Sequence, residues 1–272
     1  MSPLEAIAGW PVTRAAAAHI APDGSVETFG DTEQPFPLAS ITKMLTAMAA
    51  LVAHEEGTLD LDEAIVDNGS TAADLLAHGA GVAPDDRFML SPSRTRRVYS
   101  TAGYDILADH ISERSSMAFA DYLREAVLEP LDMTPHPLVG SAGAGAAASV
   151  NDLVPLAAAW REPLLIDRTT LGRALTVHLP HLEGVLPGFG RQNPNPWCLG
   201  PERRGEKSPH WTGRTNSPLT YGHFGQTGTM LWIDPTVGHT LIVLTDRPFG
   251  LWAAEAWPAL SDGVLAGAEH DN

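Results

Sequence analysis

The chain has 272 residues, of which 44% are apolar and 18% charged, and its formal net charge is −16. This composition is typical of a globular protein with a substantial buried core, and it excludes an intrinsically disordered chain. A surface this acidic repels phosphate backbones and anionic lipid headgroups, so we expect neither nucleic-acid nor membrane partners.

The N-terminal part of the chain predicts two strands and a helix. Residues 14–20 are small and apolar, an Asp-Gly turn signal follows at 23–24, and an extended pattern resumes at 26–29. Apolar residues then recur at helical spacing over 41–52, and Gly57 is a natural end for that helix. Alanines occupy its opposite face, so we expect this helix to be buried nearly all round.

The middle of the chain is predicted to be mainly helical, and strands return near the C-terminus. Helices are expected at 72–77, 102–113, 118–128 and 150–160, the last with Ser149 and Asp152 as a capping box. Residues 189–221 form a long loop of the kind that often walls a binding site. Strands are expected at 229–233 and 239–245, followed by a helix over 251–266 that is interrupted near Pro258. Strands near both termini imply that the two ends share one sheet.

The most informative pair is Ser40 and Lys43, three residues apart at the start of the first helix. The chain contains two lysines and fifteen arginines, so its use of lysine at this position is unusual. A guanidinium stays charged in a protein, whereas a buried ammonium can lose its proton. A neutral amine one helical turn from a hydroxyl can activate that hydroxyl as a nucleophile. The alternative is a serine that caps the helix and a lysine that faces solvent.

Two further segments carry candidate chemistry. In the segment YSTAGY at 99–104, Tyr99 could ionise beside a cationic lysine and relay a proton to the leaving group. The segment HFGQTG at 223–228 precedes a strand, and its glycines would let a substrate lie along the strand edge. For the segment at 99–104, the alternative is that Tyr99 is an aromatic residue that packs at the start of a helix. For the segment at 223–228, the alternative is a glycine-rich entry into a strand in which His223 has no functional role.

Taken in order, these segments resemble the superfamily of serine β-lactamases and penicillin-binding proteins, specifically its class C and esterase-like branch. Typical members contain a Ser-x-x-Lys helix and then LLxHxSG, YSNxGYxLL, EPLGM and GHxGxxGTxLWxDP. This chain has LLAHGAG at 75–81, YSTAGY at 99–104, EPLDM at 129–133 and a segment from GHFG to DP at 222–235.

The resemblance implies an α+β fold of the β-lactamase/transpeptidase type, with the active site between two domains. One domain is an antiparallel sheet flanked by helices and is formed by residues 1–60 and 215–272. The other, formed by residues 61–214, is mainly helical and carries active-site loops.

The resemblance also implies roles for individual residues. Ser40 would be the acylated nucleophile, Lys43 its proton acceptor and Tyr99 the proton relay. The backbone amides of Ser40 and Gln226 would form the oxyanion hole. His223 and Gly225 would form the strand motif, which in this branch is His-x-Gly rather than Lys-Thr-Gly.

Two residues depart from the family pattern. Thr101 stands where the pattern has asparagine, which removes a carboxamide that would bind the lysine and a substrate amide. Phe224 replaces the threonine of Lys-Thr-Gly, so a hydroxyl for a substrate carboxylate is missing. Both departures favour small esters or amides over β-lactams or D-Ala-D-Ala peptides. The remaining alternatives are β-lactamase or D-amino-acid amidase or peptidase activity, and a binding protein that has lost turnover.

Trp211 lies in the long loop and is a candidate pocket wall.

The other candidate sites are weaker, and we expect no metal or cofactor. His178 and His181 could suggest a metal pair, but Pro180 spoils a helical arrangement and no third ligand is placed. Cys198 is the single cysteine, so no disulfide framework exists, and it lacks the setting of a reactive thiol. The N-terminus lacks a basic region followed by an apolar stretch, so we expect a cytoplasmic protein that acts on a small molecule.

Overall fold

A computed structural model describes residues 2–267 of the chain. Its strands are β1 (Ala15–Ile20), β2 (Val26–Gly30), β3 (Phe36–Pro37), β4 (Ala147–Ala148), β5 (Gly184–Leu186), β6 (Gly190–Gln192), β7 (Glu202–Arg203), β8 (Tyr221–Gly225), β9 (Thr229–Asp234) and β10 (His239–Thr245). Its α-helices are α1 (Thr42–Glu55), α2 (Ala72–Leu76), α3 (Ala102–Ser115), α4 (Phe119–Leu123), α5 (Val150–Ala159), α6 (Arg168–Ala174) and α7 (Leu251–Gly267). The 3₁₀ turns Pro3–Gly9 and Ala39–Ile41 precede β1 and α1, and a π-helical turn, Arg124–Leu128, continues α4.

The central sheet is antiparallel and has the strand order β2-β1-β10-β9-β8-β7. β1 lies beside β10, with Ala17 opposite Val243, so strands from both ends of the chain share one sheet as predicted. Ala16, Ala17 and Ala18 of β1 are fully buried, and their small side chains let α5 pack closely on β1 and β10. On β9, the Trp232 indole donates to Ser261 Oγ of α7 at 3.0 Å. The predicted α+β fold, an antiparallel sheet flanked by helices, is confirmed.

Helix α1 lies in the core, as its pattern predicted. Eleven of its fourteen residues are buried, and it packs against α3, α4 and α6. The 3₁₀ turn before it rests on β8 and β9. The last residues of this turn and the first of α1 are therefore held between the sheet and the helices.

Several predicted elements need correction. Helix α7 runs through Pro258 without interruption, because Trp257 and Leu260 on either side are buried and hold it in place. The predicted helix over 118–128 is a short α-helix that ends in the π-helical turn. Helix α6 was not predicted, and neither was the β5–β6 hairpin, whose strands have three residues each.

The predicted division into 1–60 with 215–272, and 61–214, stays a prediction. Strand β7 comes from the second of these segments and pairs with β8 at the edge of the sheet. Ser149 and Asp152 form the predicted capping box of α5. No helix within residues 2–267 is both long enough and apolar enough to cross a bilayer.

Candidate active site

Ser40 lies in a strained turn directly before α1. The turn Ala39–Ile41 is 3₁₀, and Ala39 has a φ of +45°, a left-handed conformation that is unfavourable for alanine. The carbonyl before it, on Leu38, accepts a hydrogen bond of 2.9 Å from Thr229 Oγ1 of β9. A side chain at Gly225 would collide with that same carbonyl, so glycine is required where β8 approaches the turn.

Lys43 is completely buried and points at Ser40. Its Nζ lies 3.3 Å from Ser40 Oγ, 3.2 Å from Thr101 Oγ1 and 2.8 Å from the carbonyl oxygen of Gly143. The alternative of a capping serine with a solvent-facing lysine is therefore wrong. Burial lowers the Lys43 pKa to about 7, against the opposing effects of the Asp105 and Asp85 carboxylates.

The three partners of Lys43 match the bonding capacity of a neutral amine. The Gly143 carbonyl can only accept, and the Thr101 hydroxyl can accept a second N–H. An uncharged amine then has one lone pair left, which can accept the hydroxyl proton of Ser40. The site therefore accommodates the protonation state that a general base needs.

The loop that presents the Gly143 carbonyl is fixed from two sides. One oxygen of Asp105 on α3 accepts from Ser141 Oγ at 2.7 Å and from the Ala142 amide at 2.8 Å. On the other side, Thr46 Oγ1 of α1 donates to the Ala142 carbonyl at 2.5 Å. The sequence does not reveal this loop as part of the site, because a Gly-Ala-rich segment gives no periodic signal. Asp105 was not predicted either, because its role depends on contacts with this loop.

Tyr99 is placed to exchange a proton but not to ionise. Its phenol oxygen lies 3.5 Å from His223 Nε2, and Lys43 Nζ lies 4.8 Å from the centre of its ring. Burial raises the pKa of Tyr99 above its ordinary value, although a hydrogen bond with Ser40 acts in the opposite direction. The predicted ease of ionisation is therefore wrong, because the lysine faces the ring and desolvation dominates.

His223 is a neutral acceptor in this arrangement. Its Nδ1 lies 2.7 Å from the Phe224 carbonyl oxygen, which can only accept, so the ring proton resides on Nδ1. Burial and, to a smaller extent, the nearby Lys43 lower the His223 pKa to about 3. Nε2 can therefore accept the hydroxyl proton of Tyr99 as a hydrogen bond.

These groups surround a cavity of about 30 Å³, the catalytic pocket. It is lined by Ser40, Tyr99, Leu186, Pro187, Trp197, Glu202, His223, Phe224 and Gln226. Ser40 and Gln226 both line it, and the oxyanion hole formed by their backbone amides stays a prediction. Gly225 and Thr101 are not among the lining residues. Gly225 contacts the turn that carries Ser40, and Thr101 is hydrogen-bonded to Lys43.

Trp211 does not line the catalytic pocket, contrary to its prediction as a pocket wall. It is 1% exposed and packs against Phe224, with 5.9 Å between ring centres. Its indole N–H donates to Glu202 Oε2 at 2.7 Å. The other Glu202 oxygen accepts from Lys207 and lies 3.1 Å from His210 Nε2, so this carboxylate in the pocket wall is tied down by buried partners.

The other candidate side chains have structural partners. His178 lies 2.9 Å from Asp74, which also binds Arg94. Burial raises the pKa of the Cys198 thiol, which opposes reactivity. Among residues 2–267, no group of three or more His, Cys, Asp and Glu side chains is arranged to hold a metal ion.

Comparison with known proteins identifies the family. The family model described as Beta-lactamase matches residues 11–136. The crystal structure of a β-lactamase from Mycobacterium bovis is 48% identical, with a TM-score of 0.95 over 98% of this chain and 99% of that one. The chain therefore belongs to the β-lactamase family, within the superfamily of serine β-lactamases and penicillin-binding proteins, whose members are generally serine hydrolases. The predicted family membership is confirmed.

More distant structures share the fold. A mutant of simvastatin synthase from Aspergillus terreus is 16% identical, with a TM-score of 0.80 over 98% of this chain and 97% of that one. A penicillin-binding protein from Bacillus halodurans is 17% identical, with a TM-score of 0.74 over 100% and 99% of the two chains. A search of curated protein sequences gives no match.

Proposed function

We propose that the protein is a serine hydrolase that acts through an acyl-enzyme intermediate on small esters or amides. The observation that carries this proposal is the buried Lys43 amine, 3.3 Å from Ser40 Oγ and with a pKa of about 7. Near neutral pH a large share of this lysine is uncharged and able to accept a proton. Activation of a serine by an adjacent amine is an established route to a nucleophile.

The proposed reaction has two steps. Ser40 Oγ forms a bond to the substrate carbonyl carbon while its proton passes to Lys43, and the amides of Ser40 and Gln226 bind the resulting oxyanion. The bond from that carbon to the leaving oxygen or nitrogen then breaks, and the leaving atom takes the proton of the Tyr99 hydroxyl. The phenol oxygen regains a proton from Lys43, which returns to the neutral amine. Water next adds to the acyl-enzyme by the same route in reverse, which releases the acid and restores Ser40.

In this proposal Tyr99 relays the proton as a neutral phenol. The raised Tyr99 pKa opposes a standing phenolate, and His223 Nε2 provides an acceptor that orients the hydroxyl. A neutral phenol can accept one proton while it donates another, so Tyr99 need not carry a full charge in the buried pocket.

Thr101 and Phe224 bear on the choice of substrate. The Thr101 hydroxyl keeps a hydrogen bond to Lys43, so loss of the family asparagine does not leave the lysine unsupported. This contact supports an active enzyme over a binding protein that has lost turnover. Phe224 offers a ring in place of a hydroxyl, which favours esters and small amides over β-lactams that carry a carboxylate.

The test is covalent labelling of Ser40. Purified protein and the Ser40→Ala variant are incubated with a fluorophosphonate probe and a β-lactam probe, and their intact masses are measured. We expect a single adduct on the unmodified protein that is absent from Ser40→Ala. If no acylating or phosphonylating probe gives an adduct, the chain is a binding protein and the proposal is wrong.

A further inference from the structure

A second and much larger cavity adjoins the catalytic pocket. This leaving-group groove has a volume of about 460 Å³ and runs between the segment before Tyr99 and the β5–β6 hairpin. It shares Tyr99 and Pro187 with the catalytic pocket, so the two spaces meet at the proposed proton relay. A substrate with its carbonyl at Ser40 can therefore extend past Tyr99 into the groove.

The walls of the groove are held rigidly. The Arg97 amide donates to the Glu183 carbonyl at 2.7 Å, which joins the segment to the hairpin. The buried Arg97 guanidinium donates to the backbone carbonyls of Ala77, Leu179 and Asn195 at 2.7, 2.8 and 3.0 Å. A side chain at Gly184 would contact Arg97 at 2.6 Å, so glycine is required for the two walls to approach. The groove is thus a preformed cleft.

The groove combines apolar surface with a free positive charge. Leu90 and Val185, which are 47% and 61% exposed, provide apolar contacts. Arg191 is paired with Glu183 at 2.5 Å. Arg96 is exposed, and in the described part of the chain it has no carboxylate within ion-pair distance; its guanidinium reaches only the Leu90 carbonyl, at 3.4 Å. On a protein with a net charge of −16, a free guanidinium in a cleft is a specific local attraction for an anion.

The volumes of the catalytic pocket and the groove indicate which end of the substrate binds in each. At about 30 Å³ the catalytic pocket is far smaller than the groove, so it suits the smaller end of a substrate. The groove of about 460 Å³ falls in the range of small-molecule sites. Tyr99 lies where they meet, and the leaving atom must be close to the group that protonates it.

We propose that the substrate carries a short acyl group on a larger apolar alcohol or amine that bears an anionic group. The short acyl group occupies the catalytic pocket, and the leaving group occupies the groove with its anion against Arg96. This assignment rests on the proposed function of Ser40. It places the anion in the groove rather than beside Phe224, where the family strand motif would hold a carboxylate.

A matched pair of esters tests the anion site. Phenyl acetate and 4-acetoxybenzoate share an acyl group and a ring, and differ by one carboxylate. We expect Arg96→Gln to lower kcat/KM for 4-acetoxybenzoate about fivefold, through KM, and to leave phenyl acetate unchanged. Arg214→Gln, an exposed residue outside the groove, makes the same change in net charge and should affect neither ester. Equal effects of Arg96→Gln on the two esters would overturn the anion site.

The length of the acyl chain tests the second part of the proposal, that the acyl group binds in the small catalytic pocket. p-Nitrophenyl acetate and p-nitrophenyl octanoate have the same leaving group, and we expect acetate to have the higher kcat/KM by at least about tenfold. Equal rates would show that the acyl chain has access to a larger space and would overturn the assignment of the two ends.

Product binding separates this proposal from the proposed function. We expect 4-hydroxybenzoate to bind Ser40→Ala protein more tightly than phenol does, measured by saturation-transfer NMR, and Arg96→Gln to remove the difference. If Ser40 is never acylated by any probe, the proposed function fails even where 4-hydroxybenzoate binds through Arg96. If Ser40 is acylated but the two phenols bind equally, only the groove assignment fails.

Discussion

The amine of Lys43 lies 2.8 Å from the carbonyl oxygen of Gly143, which is one hundred residues further along the chain. This carbonyl can only accept a hydrogen bond, so it takes one amine proton and helps to aim the lone pair of the neutral amine at Ser40. The contact therefore orients the proposed base as well as holding it in place.

Removal of the amine should stop turnover without unfolding the protein. We expect Lys43→Arg and Lys43→Met to lower kcat for p-nitrophenyl acetate by about 100-fold or more, because neither side chain can accept the serine proton. Lys43→Met is the cleaner variant, since it avoids a buried charge and nearly keeps the shape of lysine. Circular dichroism and thermal denaturation check the fold. A near-native kcat in the folded Met variant would contradict the role of Lys43 as base.

The threonine at position 101 should restrict the reaction to esters. We expect Thr101→Asn to raise turnover of an anilide or a chromogenic cephalosporin, because the carboxamide adds a donor that can bind a substrate amide. Thr101→Ser keeps only the hydroxyl and serves as the control. Unchanged amide and β-lactam rates in Thr101→Asn would show that this departure from the family pattern does not limit the substrate.

Asp105 should set the pH range of activity. Its negative charge raises the Lys43 pKa, so Asp105→Asn should lower that pKa further and move the rise of kcat/KM to lower pH. Asparagine keeps an oxygen that can accept from Ser141 and Ala142, so the loop that carries Gly143 should stay in place.

The control for this charge effect is Asp109→Asn on the same helix, at an exposed carboxylate paired with Arg87. We expect the control to leave the midpoint of the pH–rate profile where it is in the unmodified enzyme. An unmoved midpoint in Asp105→Asn would contradict the electrostatic coupling to Lys43.

The second lysine of the chain should matter for stability. Lys207 is buried and paired with the buried Glu202 carboxylate. We expect Lys207→Met to lower the free energy of unfolding by about 3–5 kcal/mol, because it leaves that carboxylate without its cation. Urea denaturation measures the change, and the double variant with Glu202→Gln should recover part of the loss. An unchanged midpoint in the single variant would show that the pair contributes little.

Local sequence patterns predicted the parts of the site that lie on or next to helices and strands with a clear periodic pattern. The regular apolar spacing of α1 placed Ser40 and Lys43 together, and Tyr99 and His223 were found from motifs next to a helix and a strand. Strand patterns near both ends of the chain predicted that the two ends share one sheet, although they did not predict that β1 pairs directly with β10.

The remaining parts depend on contacts between distant segments. The loop at 141–143 reaches Lys43 only through Asp105 and Thr46, and its composition gives no hint of these bonds. Trp211 was assigned to the pocket wall because it lies in a long aromatic loop, whereas its indole is buried against Glu202. The β5–β6 hairpin, which walls the groove, is too short to give a periodic signal.

The pH dependence of Ser40 labelling tests the proposed base most directly. The rate of fluorophosphonate adduct formation is measured by intact mass from pH 5 to pH 9 for the unmodified protein and for Lys43→Met. Protonated lysine cannot accept a proton, so we predict a rate that rises with pH through a midpoint near 7, and a slow rate without that rise in Lys43→Met. Equal labelling rates in the two proteins across this range would contradict the account.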